Sequence, residues 1–137
     1  MLHVLRVRLA EREVISDSEV LHDYLRAKLA YAPTERLRGL FLDSDKRLIK
    51  DELITEGTVD RACAYPREIL RRAIEFGATA IVLVHNHPGG RPHPSAADQE
   101  LTDRIAFLAG ALEIELIDHL IVTSAGLFSF RREGLLR

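Results

Sequence analysis

Hydrophobic and polar positions change period several times along the chain, and each change marks an element. Leu5, Val7 and Leu9 alternate with Arg6 and Arg8, which predicts a half-exposed strand at the N-terminus. The run Ser16, Asp17, Ser18, Glu19 has capping-box chemistry, and Leu21, Leu25 and Leu29 then recur every four residues as far as Ala32 and Pro33. That spacing predicts one amphipathic helix. Apolar density rises over 36–43, Asp43, Ser44 and Asp45 supply turn chemistry, and 47–55 is apolar again, so a β-hairpin is expected with Gly57 closing its second strand. Pro66 in a first turn, Ile69, Ala73 and Phe76 on one face and Gly77 as a stop predict a second helix.

Residues 79–84, Thr-Ala-Ile-Val-Leu-Val, form a continuous apolar run too short for a buried helix and rich in β-branched side chains. A central strand is expected there, delivering His85 at its end. Three prolines, two glycines and no periodicity make 85–94 a loop. Ser95 then opens a third helix, with Leu101, Ile105, Leu108 and Leu112 expected to face inward. Two strand-like runs, 115–123 and 127–130, flank the turn residues Ser124, Ala125 and Gly126. Helices and strands are mixed without strict alternation, so an α+β fold with a three-layer, mixed β-sheet is expected rather than a doubly wound one.

Composition narrows the class without naming it. A chain of 137 residues is read as one domain, 1–137, with 1–15 as a strand appendage. A hydrophobic share of 47% against 29% charged is a globular balance and excludes disorder. Nineteen Lys and Arg against 21 Asp and Glu leave a net charge of -2, so nucleic acid or a membrane surface would have to bind a local patch. The single Cys63 excludes an internal disulfide framework and fits a reducing compartment, so a cytoplasmic location is expected. The alternating residues after Met1 lack the pattern of a signal peptide and no apolar run approaches the ~20 residues of a membrane span, so a soluble, unsecreted protein is expected.

The candidate chemistry lies where the central strand ends. His85 and His87 stand two apart, which in extended geometry sends both imidazoles to one face. Asp98 follows eleven residues after His87, one turn into the third helix. Two imidazoles and one carboxylate form a three-ligand set with a fourth position open to water, the arrangement of catalytic rather than structural zinc. Ser95 and Asp98 also read as a capping box, a structural role that would by itself explain both.

The joint pattern of His85, His87, Ser95 and Asp98 behind a buried strand resembles the JAB/MPN (JAMM) metallohydrolases, whose motif is an upstream glutamate followed by His-x-His-x7-Ser-x-x-Asp. Within that family, the runs His85-Asn86-His87-Pro88, Pro94-Ser95, Tyr65-Pro66-Arg67-Glu68 and Asp118-His119-Leu120-Ile121-Val122 look like the RadC-type branch. The resemblance covers about 16–136. It implies a curved mixed sheet with helices packed on it, of cytidine-deaminase-like architecture. It further implies a Zn2+ ion on His85, His87 and Asp98, oxyanion support from Ser95, and an upstream glutamate that handles the proton of water. Glu35 and Glu52 both precede the histidines; Glu35, at the start of the hairpin's first strand, matches the family's placement, and Glu52 reads as part of a solvated strand face. The chain departs from the RadC wording at Gly89 and Gly90, which predicts a looser loop. The segment before Glu35 is too short for the helix-hairpin-helix region that larger relatives carry.

The resulting expectation is a zinc metallopeptidase or isopeptidase whose partner is a peptide or isopeptide-linked protein. The alternative from another class is a non-catalytic module associated with DNA repair or recombination. A nuclease suggested by the letters His-Asn-His is disfavoured, because nucleases of that name disperse those residues over a ββα motif. Arg61, Arg67, Arg71 and Arg72 are a candidate basic patch, with a solvated helix face as the ordinary reading of Arg71 and Arg72. Cys63 reads as a small buried residue, His93 as a solvated loop histidine, and His119 as a satisfied core or edge histidine rather than a ligand.

Overall fold

The structure, a computed structural model, describes residues 19–56 and 64–136. The strand expected over 5–9, the cap at Ser16, and Gly57, Arg61 and Cys63 lie outside the described residues. Among the described residues eight elements follow in order: α1 (Glu19–Leu29), β1 (Arg36–Leu42), β2 (Leu48–Glu56), α2 (Ala64–Phe76), β3 (Ala80–Asn86), α3 (Ala96–Ala111), β4 (Glu115–Val122) and β5 (Leu127–Ser129). The strands form one mixed sheet of order β2-β1-β3-β4-β5, in which β3 and β4 are parallel and the other neighbours antiparallel.

Two apolar clusters, one on each face of this sheet, make the molecule three-layered. Leu40 and Leu42 of β1, Val82 and Val84 of β3, and Leu120 and Val122 of β4 pack under Leu21, Tyr24, Leu25 and Leu29 of α1. On the other face Leu37, Phe41, Ile81, Leu83 and Ile121 meet Ile69 and Ala73 of α2 and Leu101, Ile105 and Ala109 of α3. A strand covered on both sides has no polar face to alternate, which is why β3 is apolar until its end. The fold is therefore α+β with a mixed five-stranded sheet, as the element order implies.

One irregularity decides which way β4 presents its side chains. Ile81 pairs with Leu116 but Val82 pairs with Asp118, so β4 carries one extra residue, Ile117. Side-chain parity reverses across this bulge: Ile114 and Leu116 lie in the α2/α3 core before it, and Ile121 lies there after it. Strict alternation would have turned His119 toward α1; the bulge turns it toward α3.

The inward face of α3 differs from the expected one. Asp98, Leu101, Thr102, Ile105 and Ala109 are buried, whereas Leu108 is 36% and Leu112 49% exposed. Leu108 sits on the rim of the stripe. Leu112 would fall near its centre, but the helix ends there: Glu113 takes φ 59°, the Ile114 N–H returns to the Ala109 carbonyl, and buried Ile114 fills the position instead.

Candidate metal centre

β3 carries His85 to the end of the covered sheet, where its side chain is 2% exposed and paired in register with Leu37 and Ile121. The His87 N–H continues the ladder by donating to the Val122 carbonyl at 3.2 Å, so the chain stays extended past Asn86 and both imidazoles project to the α3 face. Their ring centroids are 4.6 Å apart and their Nε2 atoms 2.7 Å apart. Behind His87 the loop folds into a closed turn, with Pro88 at its first corner and the Gly90 N–H donating to the His87 carbonyl at 3.0 Å. Gly90 has φ 84°, a conformation that glycine adopts without the cost of a Cβ. The glycine pair that departs from the RadC wording thus sits in this hydrogen-bonded turn.

That turn brings the Arg91 carbonyl to 2.8 Å from His87 Nδ1. A carbonyl only accepts, so neutral His87 bears its proton on Nδ1 and keeps the Nε2 lone pair for the space it shares with His85.

Asp98 arrives from the first turn of α3. Ser95 is the N-cap: its Oγ accepts from the Asp98 N–H at 3.0 Å, while Asp98 Oδ2 accepts from the Ser95 N–H at 2.8 Å. The same Oδ2 lies 3.4 Å from His85 Nε2 and 3.3 Å from His87 Nε2. Capping and metal binding would therefore not compete at Asp98, because the reciprocal cap fixes the rotamer that aims its carboxylate at both imidazoles. Burial opposes the charge on Asp98, but hydrogen bonds to His85 and His87 and from the Ser95 N–H outweigh it and hold its carboxyl well below the ordinary range. His87 is shifted the other way, upward, chiefly by its hydrogen bond to Asp98 and against the cost of burial.

Glu35 completes the group. One ligand atom each from Glu35, His85, His87 and Asp98 lie within 4.8 Å of one another. Glu35 directly precedes β1, and its backbone is held from both sides by one buried side chain: Asn86 Oδ1 accepts from the Arg36 N–H at 2.7 Å and Asn86 Nδ2 donates to the Thr34 carbonyl at 2.9 Å. Glu52 lies on β2 opposite Gly39 and is not in the group.

The donor set suits a metal ion. Ligands about 2.0–2.1 Å from a tetrahedral ion stand roughly 3.3–3.4 Å from each other; the two separations from Asp98 Oδ2, 3.3 and 3.4 Å, match that edge, and the 2.7 Å between the imidazole nitrogens is shorter and would have to open around an ion. Two imidazole nitrogens at 2.7 Å need a proton or a cation between them, since facing lone pairs repel. His85, His87 and Asp98 can thus offer two nitrogens and an oxygen to one divalent ion, with Glu35 beside them.

The other sequence candidates stand outside this group. His93 is exposed, with its ring 6.4 Å from that of Phe128. Arg71 is tied to Glu68 and Glu75, and Arg72 to Glu68 and the Leu53 carbonyl, so these cations are neutralised on the α2 surface and hold the Glu68 carboxyl down at about 2. His119 is fully buried, stacked at 4.6 Å on Phe130, with Nε2 2.6 Å from His85 Nδ1. Asn86 and Thr102 were not singled out from the sequence. The signal for Asn86 was a polar residue closing an apolar run; Thr102 gave none.

A mixed sheet that presents two histidines and a helix-borne aspartate defines a JAB-type centre, and comparison with known proteins agrees. The RadC-like JAB domain profile matches residues 15–135, and the chain belongs to that family. It is 48% identical over 131 residues to a UPF0758 protein of Rhodobacter capsulatus, covering 96% of this chain and 61% of that protein. A UPF0758 protein of Ruegeria pomeroyi is 45% identical over 131 residues, covering 96% of this chain and 58% of the relative. The chain thus spans about three-fifths of the length of these relatives. Among the described residues no helix is long and apolar enough to cross a membrane.

Proposed function

We propose that this chain is a zinc-dependent hydrolase of the cytoplasm that cleaves a peptide-like amide, with a peptide or an isopeptide-linked protein as substrate. One observation carries the reading: the convergence of Glu35, His85, His87 and Asp98 at the end of β3. In this reading His85, His87 and Asp98 hold the ion. When bound, zinc lowers the pKa of water and polarises the carbonyl under attack.

The chain supplies the rest. Glu35 takes a proton from the attacking water and returns it to the leaving nitrogen, the work of a general base turned acid. Ser95 accepts from the Asp98 N–H and so keeps its own hydroxyl proton to donate to the oxyanion, a contribution of typically about 3 kcal/mol. Asn86 holds the backbone on either side of Glu35, so the carboxylate meets water without a prior search for its place. Of the α2 arginines that could serve the alternative of nucleic-acid binding, Arg71 and Arg72 are paired with glutamates, while Arg67 is exposed.

Elemental analysis of protein purified without a histidine tag tests this directly. Wild type is expected to hold about one zinc per chain, and His87→Ala to hold none. His87 is the ligand to remove, because Asp98→Ala would also break the α3 cap. Glu35→Gln is expected to keep the metal and lower cleavage of an isopeptide-linked substrate by about 10²–10⁴-fold. Wild type devoid of zinc after zinc is supplied, or equal metal content in His87→Ala, overturns the assignment.

A further inference from the structure

A chain of short contacts leads from His85 away from the candidate metal position into the core. His85 Nδ1 lies 2.6 Å from His119 Nε2, His119 Nδ1 lies 2.6 Å from Thr102 Oγ1, and the Thr102 hydroxyl donates to the Asp98 backbone carbonyl at 2.7 Å. All three side chains are at most 2% exposed, so no bulk water can substitute for a missing partner. The path begins on β3, crosses to β4 at a position that the Ile117 bulge turns inward, and ends on α3 beside the carboxylate of Asp98.

With both rings neutral, proton bookkeeping along this path has one solution. The Asp98 carbonyl can only accept, so the single Thr102 hydroxyl proton points at it. Thr102 Oγ1 must then accept from His119, which puts the ring proton on Nδ1 and leaves Nε2 a lone pair. His119 Nε2 therefore accepts from His85, whose proton sits on Nδ1. The result is a neutral His85 with its Nε2 lone pair turned toward His87 and Asp98, an arrangement that a cation between the two imidazoles would complete. Reversing any one bond sets two acceptors face to face at 2.6–2.7 Å. His87 reaches the same tautomer by a separate route, through the Arg91 carbonyl.

We infer that His119 and Thr102 are positioning residues, which fix His85 as its Nδ1–H tautomer and so present Nε2 to the metal ion. Neither touches the ion. His119 is fixed in turn by its stacking on Phe130, at an interplanar angle of 8°. This inference rests on the zinc reading above and adds the device that readies one ligand before the ion arrives. Partners of this kind typically contribute about 10–100-fold in metal affinity.

The test compares zinc affinity, by competition with a chromogenic chelator, in wild type, His119→Phe, His119→Gln and Thr102→Val. His119→Phe keeps the stacked ring and removes both nitrogens; zinc is expected to bind about 10–100-fold more weakly. His119→Gln places an amide oxygen near the Nε2 position and is expected to restore most of the affinity, which a purely space-filling role would not require. Thr102→Val touches neither His85 nor the ion, yet frees the His119 tautomer. In the metal-free protein, at a pH that leaves the imidazoles neutral, long-range ¹H–¹⁵N spectra should show His85 protonated at Nδ1 in wild type and shared between both nitrogens in Thr102→Val. Should His119→Phe fail to fold, the Gln and Val variants carry the comparison. Wild type that binds zinc while His119→Phe or Thr102→Val binds equally well, with the His85 spectrum unchanged, overturns the inference and leaves the metal site standing. Wild type that binds no zinc overturns both.

Discussion

Asn86 shows what a single residue does beyond its place in a motif. It stands between the two histidines, and in an extended chain its side chain faces away from theirs. That opposite orientation lets it reach the backbone of residues 34 and 36 across the β1 edge. A residue that satisfies one N–H and one C=O of another segment fixes that segment's position, and here the segment carries Glu35. Removing the amide takes away the partner of both part-buried backbone groups, at a cost of roughly 1 kcal/mol. Asn86→Ala is therefore expected to lower the denaturation midpoint, to retain zinc, and to lower hydrolysis more than zinc content. Zinc content and turnover measured on the same preparations would show this split; a variant that loses metal in proportion to activity would place Asn86 with the ligands instead. The sequence announced His85, His87, Ser95 and Asp98 through their spacing, because that spacing reflects local geometry of one strand end and one helix start. Asn86 and Thr102 act across long sequence distances, which spacing does not encode.

At the level of elements, two helix ends share one device and differ in how readable it is. α2 ends with Gly77 at φ 70° and the Ala78 N–H returning to the Ala73 carbonyl at 2.8 Å. α3 ends with Glu113 at φ 59° and the Ile114 N–H returning to the Ala109 carbonyl at 2.8 Å. The first stop is legible because glycine is the residue that adopts a left-handed conformation freely. The second is hidden, since glutamate gives no such cue, and Leu112 extends the helical period by one false position. The bulge at Ile117 is hidden for a similar reason: 115–123 reads as an unbroken strand, and only pairing with β3 exposes the extra residue. Glu113→Gly relieves the left-handed strain and is expected to stabilise the fold by about 0.5–1 kcal/mol, the gain reduced by the greater freedom of the unfolded chain. Chemical denaturation should show a higher midpoint with unchanged slope; an unchanged or lower midpoint would mean that the glutamate side chain contributes more there than its backbone costs.

Across the whole molecule, the sheet separates a chemical face from a structural one, and each face has its own buried charge. Opposite the candidate metal centre, Asp51 of β2 is 1% exposed and receives Arg38 Nε of β1 at 2.8 Å, Lys28 Nζ of α1 at 2.9 Å, and the Tyr24 hydroxyl. These contacts fasten α1 to the β1–β2 hairpin, much as Asp98 fastens α3 to β3. Burial alone would raise the Asp51 pKa, but the Tyr24 hydrogen bond, the Arg38 charge and the Lys28 hydrogen bond together hold it below 3.8. A carboxylate with a depressed folded pKa contributes stability above its unfolded value and loses it as pH falls through the folded one. Asp51→Asn is thus expected to cost roughly 2–3 kcal/mol at neutral pH, less than the 3–5 of a fully buried pair, because Lys28 keeps 25% of its side chain exposed. The gap between wild type and variant should stay level from pH 7 down to about 4 and narrow below 3.8, as wild-type Asp51 takes up its proton. Asp98 titrates in both proteins and cancels from the difference. Urea denaturation of both proteins across this range measures the gap. A gap that closes near pH 6 would point to a histidine as the group concerned, and one unchanged down to the acid limit of folding would mean that the shape of Asp51, not its charge, holds α1 in place.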